Sequence, residues 1–390
     1  MTFTGAVLQA WRDAWRALLG DKAVLIVLFG AGIAYSFFYP SPYANEAVRR
    51  APIAVVDGDQ GSLSRQLVRF AAAHPQLDVV AQVPRLADAQ DLLWRGRVVG
   101  VLVIPRGLQS DVLAGRSARV EVAGNGAWFL LNKAVLGAVA QAVGTLSAGI
   151  EVKRLEAAAA SPAQAGEQRE AVSLKAVPLY NTREGYGSGV VPAVGVLIVQ
   201  QTALIGLALL MGTWRELRRQ SVPPTLAGFV GLWAAVAAAV MLNGAYWLGW
   251  VMHWQGYPRA GHAGPVLAFL LLYAGTVSAF GLAAGSLFRS REGGMQAMLF
   301  VSVPMLFLAG SAWPAQALPP LLQALRWALP STAGIQGFVA LNQLGAHGDE
   351  VHSEALALLA LGAVSFGLGA WRWCRRVGEN GGPEAYPTGV

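Results

Sequence analysis

Charge vanishes from long stretches of this chain: residues 23–45, 185–214, 220–258, 260–288, 293–325 and 355–371 hold no Asp, Glu, Lys or Arg. Each run can supply the about 17–25 apolar residues that cross a hydrocarbon core as a helix, the last at the lower limit. The pattern predicts six spans: 23–42, about 189–212 with Pro192 inside, about 226–250, about 266–288, about 295–310 with Pro304 inside, and about 355–371. Between the first two, charge returns. Residues 46–184 carry 16 Lys/Arg and 13 Asp/Glu, 29 of the chain's 51 charges, which marks a water-soluble domain.

The polar and apolar positions inside that domain alternate between strand and helix periods. Strands are predicted at 53–57, 77–82, 98–104 and 118–123. Helices are predicted at 62–73, opened by Ser62 as a cap, at 86–94 and at 108–113. This order points to a small, mostly parallel α/β domain. From Trp128 to about Ala160 the composition becomes that of one long Ala- and Val-rich helix, read as a stalk, and 161–184 as the linker back to the membrane. Ahead of the first span, Val7, Leu8, Trp11, Trp15, Leu18 and Leu19 recur at helical spacing opposite Gln9, Arg12, Asp13 and Arg16, the pattern of a helix lying on a membrane surface. Residues 311–353 are too polar and Pro-broken to span, yet too apolar to float free. Short helices at 313–317, 321–329 and 332–344 are expected to dip into the bilayer against protein.

Placing the basic residues orients the chain. With the N-terminus inside, Arg12, Arg16, Lys22, Arg215, Arg218, Arg219, Arg289, Arg291, Arg372, Arg375 and Arg376 fall on the cytoplasmic side, and short outer loops hold only Arg259 and Arg326. This positive-inside bias puts both termini in the cytoplasm and 43–184 outside. It also removes nucleic acid as the reason for a net charge of +7. The first run reads as a retained span, because the segment before it is long and structured for a signal-peptide n-region. The expected fold class is an α-helical polytopic membrane protein with six transmembrane helices and an inserted extracytoplasmic α/β domain. Its parts are a cytoplasmic interfacial helix (1–22), the first span (23–42), the external domain (43–184), spans two to six with re-entrant segments (185–371) and a cytoplasmic tail (372–390). The single cysteine, Cys374, follows the last span, so the outer domain has no disulfide to lean on.

Catalytic chemistry finds little support. Asp57-Gly58-Asp59 suits a turn between strand and helix better than a metal site, and it lacks the later ligands of a calcium loop. The five histidines have no zinc spacing. No G-x-x-x-x-G-K-[S/T] occurs, so no loop cradles ATP phosphates. The spans hold polar but uncharged side chains: Gln200, Gln201 and Thr202 in the second, Asn243 in the third, Thr276 and Ser278 in the fourth, Ser302 in the fifth. They are read either as interhelical hydrogen-bonding groups or as substrate contacts. A membrane-anchored receptor or adsorption protein and a membrane glycosyl- or acyltransferase remain as other classes open to such a chain.

Four stretches resemble a known family: IAVVDGDQGSLSRQL (53–67), GRVVGVLVIPRGLQSDVLAG (96–115), LYNTREGYGSGVVPAVGVLIVQQTALIGLALL (179–210) and FLAGSAWPAQALPPLLQALRWALPSTAGIQGFVALNQLGA (307–346). They resemble the ABC-2 type permeases, membrane subunits of ATP-binding-cassette exporters, in the subgroup with a large external domain between spans one and two. The resemblance implies a permease dimer, homo- or heteromeric, bound to two copies of a separate ATPase that carries the ATP and Mg. It implies a path lined by spans one, two and five, for which Gln200, Gln201, Thr202 and Ser302 are the candidates, and a periplasmic adaptor as a further partner. The loop after span two, where the family offers an acidic Gly-Thr segment to the ATPase, is here short and basic. Arg215, Glu216, Arg218 and Arg219, with Trp11, Arg12, Trp15 and Arg16 of the interfacial helix, are the coupling candidates.

Overall fold

A computed structural model describes residues 2–157, 180–181, 185–218, 220–259 and 262–375. The chain forms two compact units, Asn45–Val177 and, from both sides of it, Met1–Ala44 with Pro178–Val390. Most of the predicted linker, with Arg219 and Arg376, lies outside the described residues.

The helical unit begins with α1 (Phe3–Gly20), whose buried stripe is Ala10, Ala14 and Leu18. Asp21 leaves helical geometry and restarts the chain. Its Oδ1 accepts hydrogen bonds from the amides of Ala23 and Val24 at 3.0 and 3.3 Å, an N-cap for α2 (Lys22–Tyr43). That helix carries a π turn at Ile26–Gly30 and closes in a 3-10 turn at Ser41–Tyr43, where Pro40 and Pro42 prevent continuation.

The α/β unit comprises β1 (Ala51–Asp57), α3 (Ser62–Ala73), β2 (Leu77–Val83), α4 (Leu86–Trp94), β3 (Gly100–Ile104), α5 (Leu108–Leu113), β4 (Glu121–Gly124) and α6 (Phe129–Ala157). The sheet order is β2-β1-β3-β4, with β1 parallel to both neighbours and β4 antiparallel on the edge. Alternate residues of β1 therefore feed two cores. Ile53 and Val55 pack with Leu67, Ala71, Leu102 and α6, and Ala54 and Val56 pack with Ala89, Val98 and Val101.

Two expectations change here. Ser62 is the first helical residue, not the cap. Gly61 takes the cap position, and the Ser62 amide and hydroxyl both donate to Gln109 Oε1, at 2.6 and 3.0 Å. More consequentially, α6 is a core helix over much of its length. Val135, Ala138, Val139, Ala142 and Leu146 are buried against the sheet, an i, i+3, i+4, i+7 face. Burial of a side chain such as Val135 is worth about 1.5–3 kcal/mol in water, so the helix is held along its flank and does not stand free as a stalk.

The remaining elements return to the helical unit: α7 (Tyr186–Glu216), α8 (Leu226–Trp254, with a π turn at Tyr246–Val251), α9 (Ala263–Gly285), α10 (Arg291–Phe300), α11 (Ser302–Leu308), α12 (Pro320–Leu325), α13 (Pro330–Phe338, running into a π turn at Val339–Gln343) and α14 (His352–Arg375). Six helices among the described residues are long and apolar enough to cross a membrane. Five of them, α2, α7, α8, α9 and the helix ending at Arg375, coincide with expected spans. The sixth is α6, whose composition suits a bilayer although one face covers the sheet. The expected fifth span is instead two helices, α10 and α11, separated at Val301. Pro304 causes the break, since it has no N–H for the Phe300 carbonyl and its ring crowds that oxygen.

Pro192 does not break α7. The carbonyl it deprives of a donor is that of Ser188, four residues earlier, and Gln343 Nε2 supplies the missing hydrogen bond at 2.8 Å. α7 is buried on nearly every side, with α9, α10 and α13 packed along it. Lipid is as apolar as Leu, so close contact and interhelical hydrogen bonds drive such packing. Gly231 on α8 shows how close: a Cβ there would stand 2.5 Å from the Val7 carbonyl oxygen and 2.7 Å from Ala10 Cβ. Glycine is what lets α1 lie flush on α8.

Candidate functional site

One cluster joins helix ends near α1. The Arg291 guanidinium forks onto the Asp21 carboxylate at 2.7 and 3.0 Å and reaches Thr213 Oγ1 at 2.5 Å. The Arg291 backbone N–H donates to Glu216 Oε1 at 2.9 Å. A single residue thus ties the α1–α2 corner, the end of α7 and the start of α10. With side-chain exposures of 17% for Asp21 and 27% for Arg291, the pair is partly withdrawn from water and less screened than a surface pair. The bonded guanidinium holds the Asp21 carboxyl below the usual carboxylate range; burial opposes this and the Val24 and Ala23 amides reinforce it.

The neighbouring Arg215 turns inward. It donates to the carbonyls of Phe288 and Ser286 at 2.8 and 2.6 Å, satisfying acceptors that the end of α9 leaves open. Arg372 adds a longer bond to Ser286, 3.4 Å. Trp214 packs on Trp373, centroids 6.0 Å apart, and Trp373 Nε1 donates to the Pro223 carbonyl at 3.0 Å.

Of the residues predicted for coupling, Arg215 and Glu216 are therefore engaged inside the helical unit, and Arg218 is exposed with φ +50°. On α1, Arg12 and Arg16 are exposed, and Arg16 pairs with Asp13 one turn away at 3.1 Å. Trp11 and Trp15 meet edge to face at 6.1 Å. The sequence reading missed the Asp21–Arg291 pair that connects these groups. The signal for it was faint: an acid at the corner before the first span and a base just ahead of the long uncharged run at 293–325.

A second cluster lies midway along the helices. Gln200 and Gln201 both direct Nε2 at Met305 Sδ, 3.3 and 3.2 Å away. Tyr273 OH donates to the Val196 carbonyl at 3.1 Å and reaches Gln200 Oε1 at 3.4 Å. Thr202 Oγ1 accepts from Asn243 Nδ2 at 3.1 Å, and the same amide reaches the Leu28 carbonyl at 3.1 Å. Gln200, Gln201 and Thr202 are all buried, and these bonds tie spans one, two, three and four to α11. Gln201 Oε1 alone among the three glutamine and threonine side chains keeps a buried acceptor without a partner. Ser302 stands apart; its hydroxyl bonds the Leu299 carbonyl at 2.6 Å, within the break between α10 and α11. At the strand end, Asp57 Oδ1 accepts from the amides of Asp59 and Gln60 at 3.0 and 2.9 Å, the geometry of a turn. No group of three or more His, Cys, Asp or Glu gathers to hold a metal among the described residues.

Spanning helices knitted by uncharged polar side chains, cross-tied at one end, and carrying a separately cored α/β insertion define a polytopic membrane transport protein. The profile of the ABC-2 family transporter proteins matches residues 22–371, and the chain belongs to that family. It is the permease of an ABC exporter, forming the route for the transported substrate. It is 23% identical over 385 residues to the inner membrane transport permease YhhJ of Escherichia coli strain K12, covering 93% of this chain and 95% of that one. It is 22% identical over 372 residues to the linearmycin resistance permease protein LnrN of Bacillus subtilis strain 168, covering 88% and 93%.

Proposed function

We propose that this permease sits in a bacterial inner membrane with both termini cytoplasmic and residues 43–184 outside. It works as a dimer with a separate ATPase that binds ATP and Mg, and a periplasmic adaptor receives what it exports. The observation that carries the mechanism is the tie through Arg291. Because Asp21, Thr213 and Glu216 all bond to one residue, a push on α1 moves the ends of spans one, two and five together. ATP binding in the partner would supply that push, shifting the balance between inward- and outward-open states.

The exposed basic groups Arg12, Arg16 and Arg218 are the docking residues in this scheme, with Trp11 toward the bilayer and Trp15 packed against the helical core. Arg215 and Glu216 are positioning residues behind them, and Arg219 belongs to the same loop. Opening would separate the Gln200, Gln201 and Thr202 layer from Met305, exposing the free Gln201 acceptor to substrate, with Ser302 beside the helix break.

The test is to co-purify the permease with its ATPase and measure transport-linked hydrolysis. Arg291→Ala is expected to leave ATPase binding intact and to abolish stimulation. Arg12→Glu with Arg16→Glu is expected to lose the ATPase itself. Unaltered stimulation in Arg291→Ala would move the lever elsewhere.

A further inference from the structure

Arg326 follows α12 and is only 8% exposed. Its Nη1 is buried without a hydrogen-bond partner, and the guanidinium lies 5.0 Å from the ring centroid of Trp327, which offers no anion. No acidic residue occurs between Glu292 and Asp349, and no ion pair involves Arg326 among the described residues. A buried, unpaired guanidinium is costly unless something negative joins it. The space for that partner exists: a cleft of about 530 Å³ bordered by Gly310, Ser311, Trp313, Gln316, Arg326 and Gln336.

Two donors converge in it over Gly310, whose φ of +85° favours glycine. A Cβ on that residue would stand 3.2 Å from Ala315 Cβ, 3.3 Å from Arg326 Nη1 and 3.7 Å from Gln336 Nε2, so both nitrogens lie beside this glycine and any side chain there would crowd them. Gln336 is steadied by a 3.3 Å bond to the Ala309 carbonyl. Beside the cleft, α12 presents Leu321 and Leu325 at 70% and 50% exposure, and Trp313 is 53% exposed. The polar floor and apolar rim match a molecule with an anionic head and a hydrocarbon body.

We infer that the cleft between α11 and α13 binds the phosphate of an amphiphile, gripped by Arg326 and Gln336, with its acyl portion along Leu321 and Leu325. A planar guanidinium fork suits phosphate oxygens. Two sources share this chemistry, a bilayer phospholipid and a transported anionic amphiphile. The inference rests on these residues and not on the coupling scheme.

The probe is short-chain phosphatidylglycerol, with the matching uncharged diacylglycerol as control, titrated against the purified full-length chain in a neutral detergent. The wild type is expected to bind the charged probe about tenfold or more tighter than the control. Arg326→Gln should remove that preference, and Arg326→Lys, keeping charge without the fork, should retain part of it. Native mass spectrometry of the protein as purified separates the sources. A phospholipid adduct present in wild type and missing in Arg326→Gln identifies the bilayer. A bare protein that takes up the added probe identifies a site for transported anions. Equal affinity of wild type for both probes overturns the proposal even if Arg326→Gln fails to fold, and so does undiminished phosphatidylglycerol binding by a folded Arg326→Gln. Failure of wild type to bind phosphatidylglycerol at all also overturns it and points to a carboxylate from a second subunit as the partner of Arg326.

Discussion

The bond from Gln343 to the Ser188 carbonyl compensates a proline 151 residues away from the donor. Replacing Gln343 by Leu keeps the bulk and removes the donor, and the loss of this hydrogen bond costs about 0.5–1.5 kcal/mol. Thermal unfolding in detergent should show that loss, and Gln343→Leu combined with Pro192→Ala, which restores the helical N–H to Ser188, should recover most of it. The Asp21–Arg291 pair sets a pH expectation. Its carboxyl is held below the unfolded value of about 3.9, so the stabilising contribution is complete above that value and disappears as pH falls through the folded pKa. A double-mutant cycle with Asp21→Asn and Arg291→Gln should give a coupling of about 0.5–3 kcal/mol. That coupling should be flat from neutral pH down to about pH 5 and vanish in stronger acid. At this scale the sequence was informative about type and silent about partner. Gln200, Gln201, Thr202 and Asn243 announced interhelical bonding by being polar within apolar runs, but nothing in their spacing named Met305 or the Leu28 carbonyl. Arg215 and Glu216 stood out as charges, and their engagement with Ser286, Phe288 and Arg291 depends on how three helix ends meet.

Elements were more legible, because their periods are local. The helices 86–94 and 108–113 and the three parallel strands follow directly from alternation and helical spacing. The short helices after Pro314 follow from proline and apolar clustering. Where the reading fell short, a long-range contact decided the outcome. The face made by Val135, Ala138, Val139, Ala142 and Leu146 is visible in α6, yet its length and Ala-rich surroundings masked a sheet lying against it. The break at Val301 was implicit in Pro304, whose counterpart Pro192 is tolerated only through Gln343. The contact of α1 with α8 yields a prediction at this level. Gly231→Val places two methyl groups where the Val7 carbonyl and Ala10 now sit, so α1 should detach. Protease sensitivity within residues 3–20 should rise while the spanning helices stay protected. Equal protection of α1 in the variant would mean that the membrane surface, not α8, holds it.

At the scale of the whole molecule, two solvents act on one chain. Residues 45–177 have their own buried cores on both faces of the sheet and enough chain to fold in water without disulfides. Produced alone, they are expected to give a soluble, cooperatively unfolding domain. Aggregation of that fragment, or unfolding without a cooperative transition, would show that it needs the membrane unit. Orientation is a property of the whole, and arginine placement alone sets the expectation for it. Reporter fusions after Arg219, Arg291 and Arg376 should signal cytoplasm, and fusions at Gly115 and Gly345 the outside; a cytoplasmic signal at Gly115 would reverse the arrangement.

The central position of α7 bears on how the protein is made. Apart from α2, the helices that enclose it, α8, α9, α10 and α13, are synthesised after it, and the hydrogen bonds of Gln200, Gln201 and Thr202 wait for Asn243, Tyr273 and Met305 to emerge. During translation α7 must therefore rest in lipid or against the insertion machinery with polar groups uncovered, and the bond from Gln343 to the Ser188 carbonyl forms only when Gln343 arrives. Chains stopped before that residue should be recognised by membrane quality-control proteases and cleared, whereas chains stopped just beyond Arg375 should accumulate.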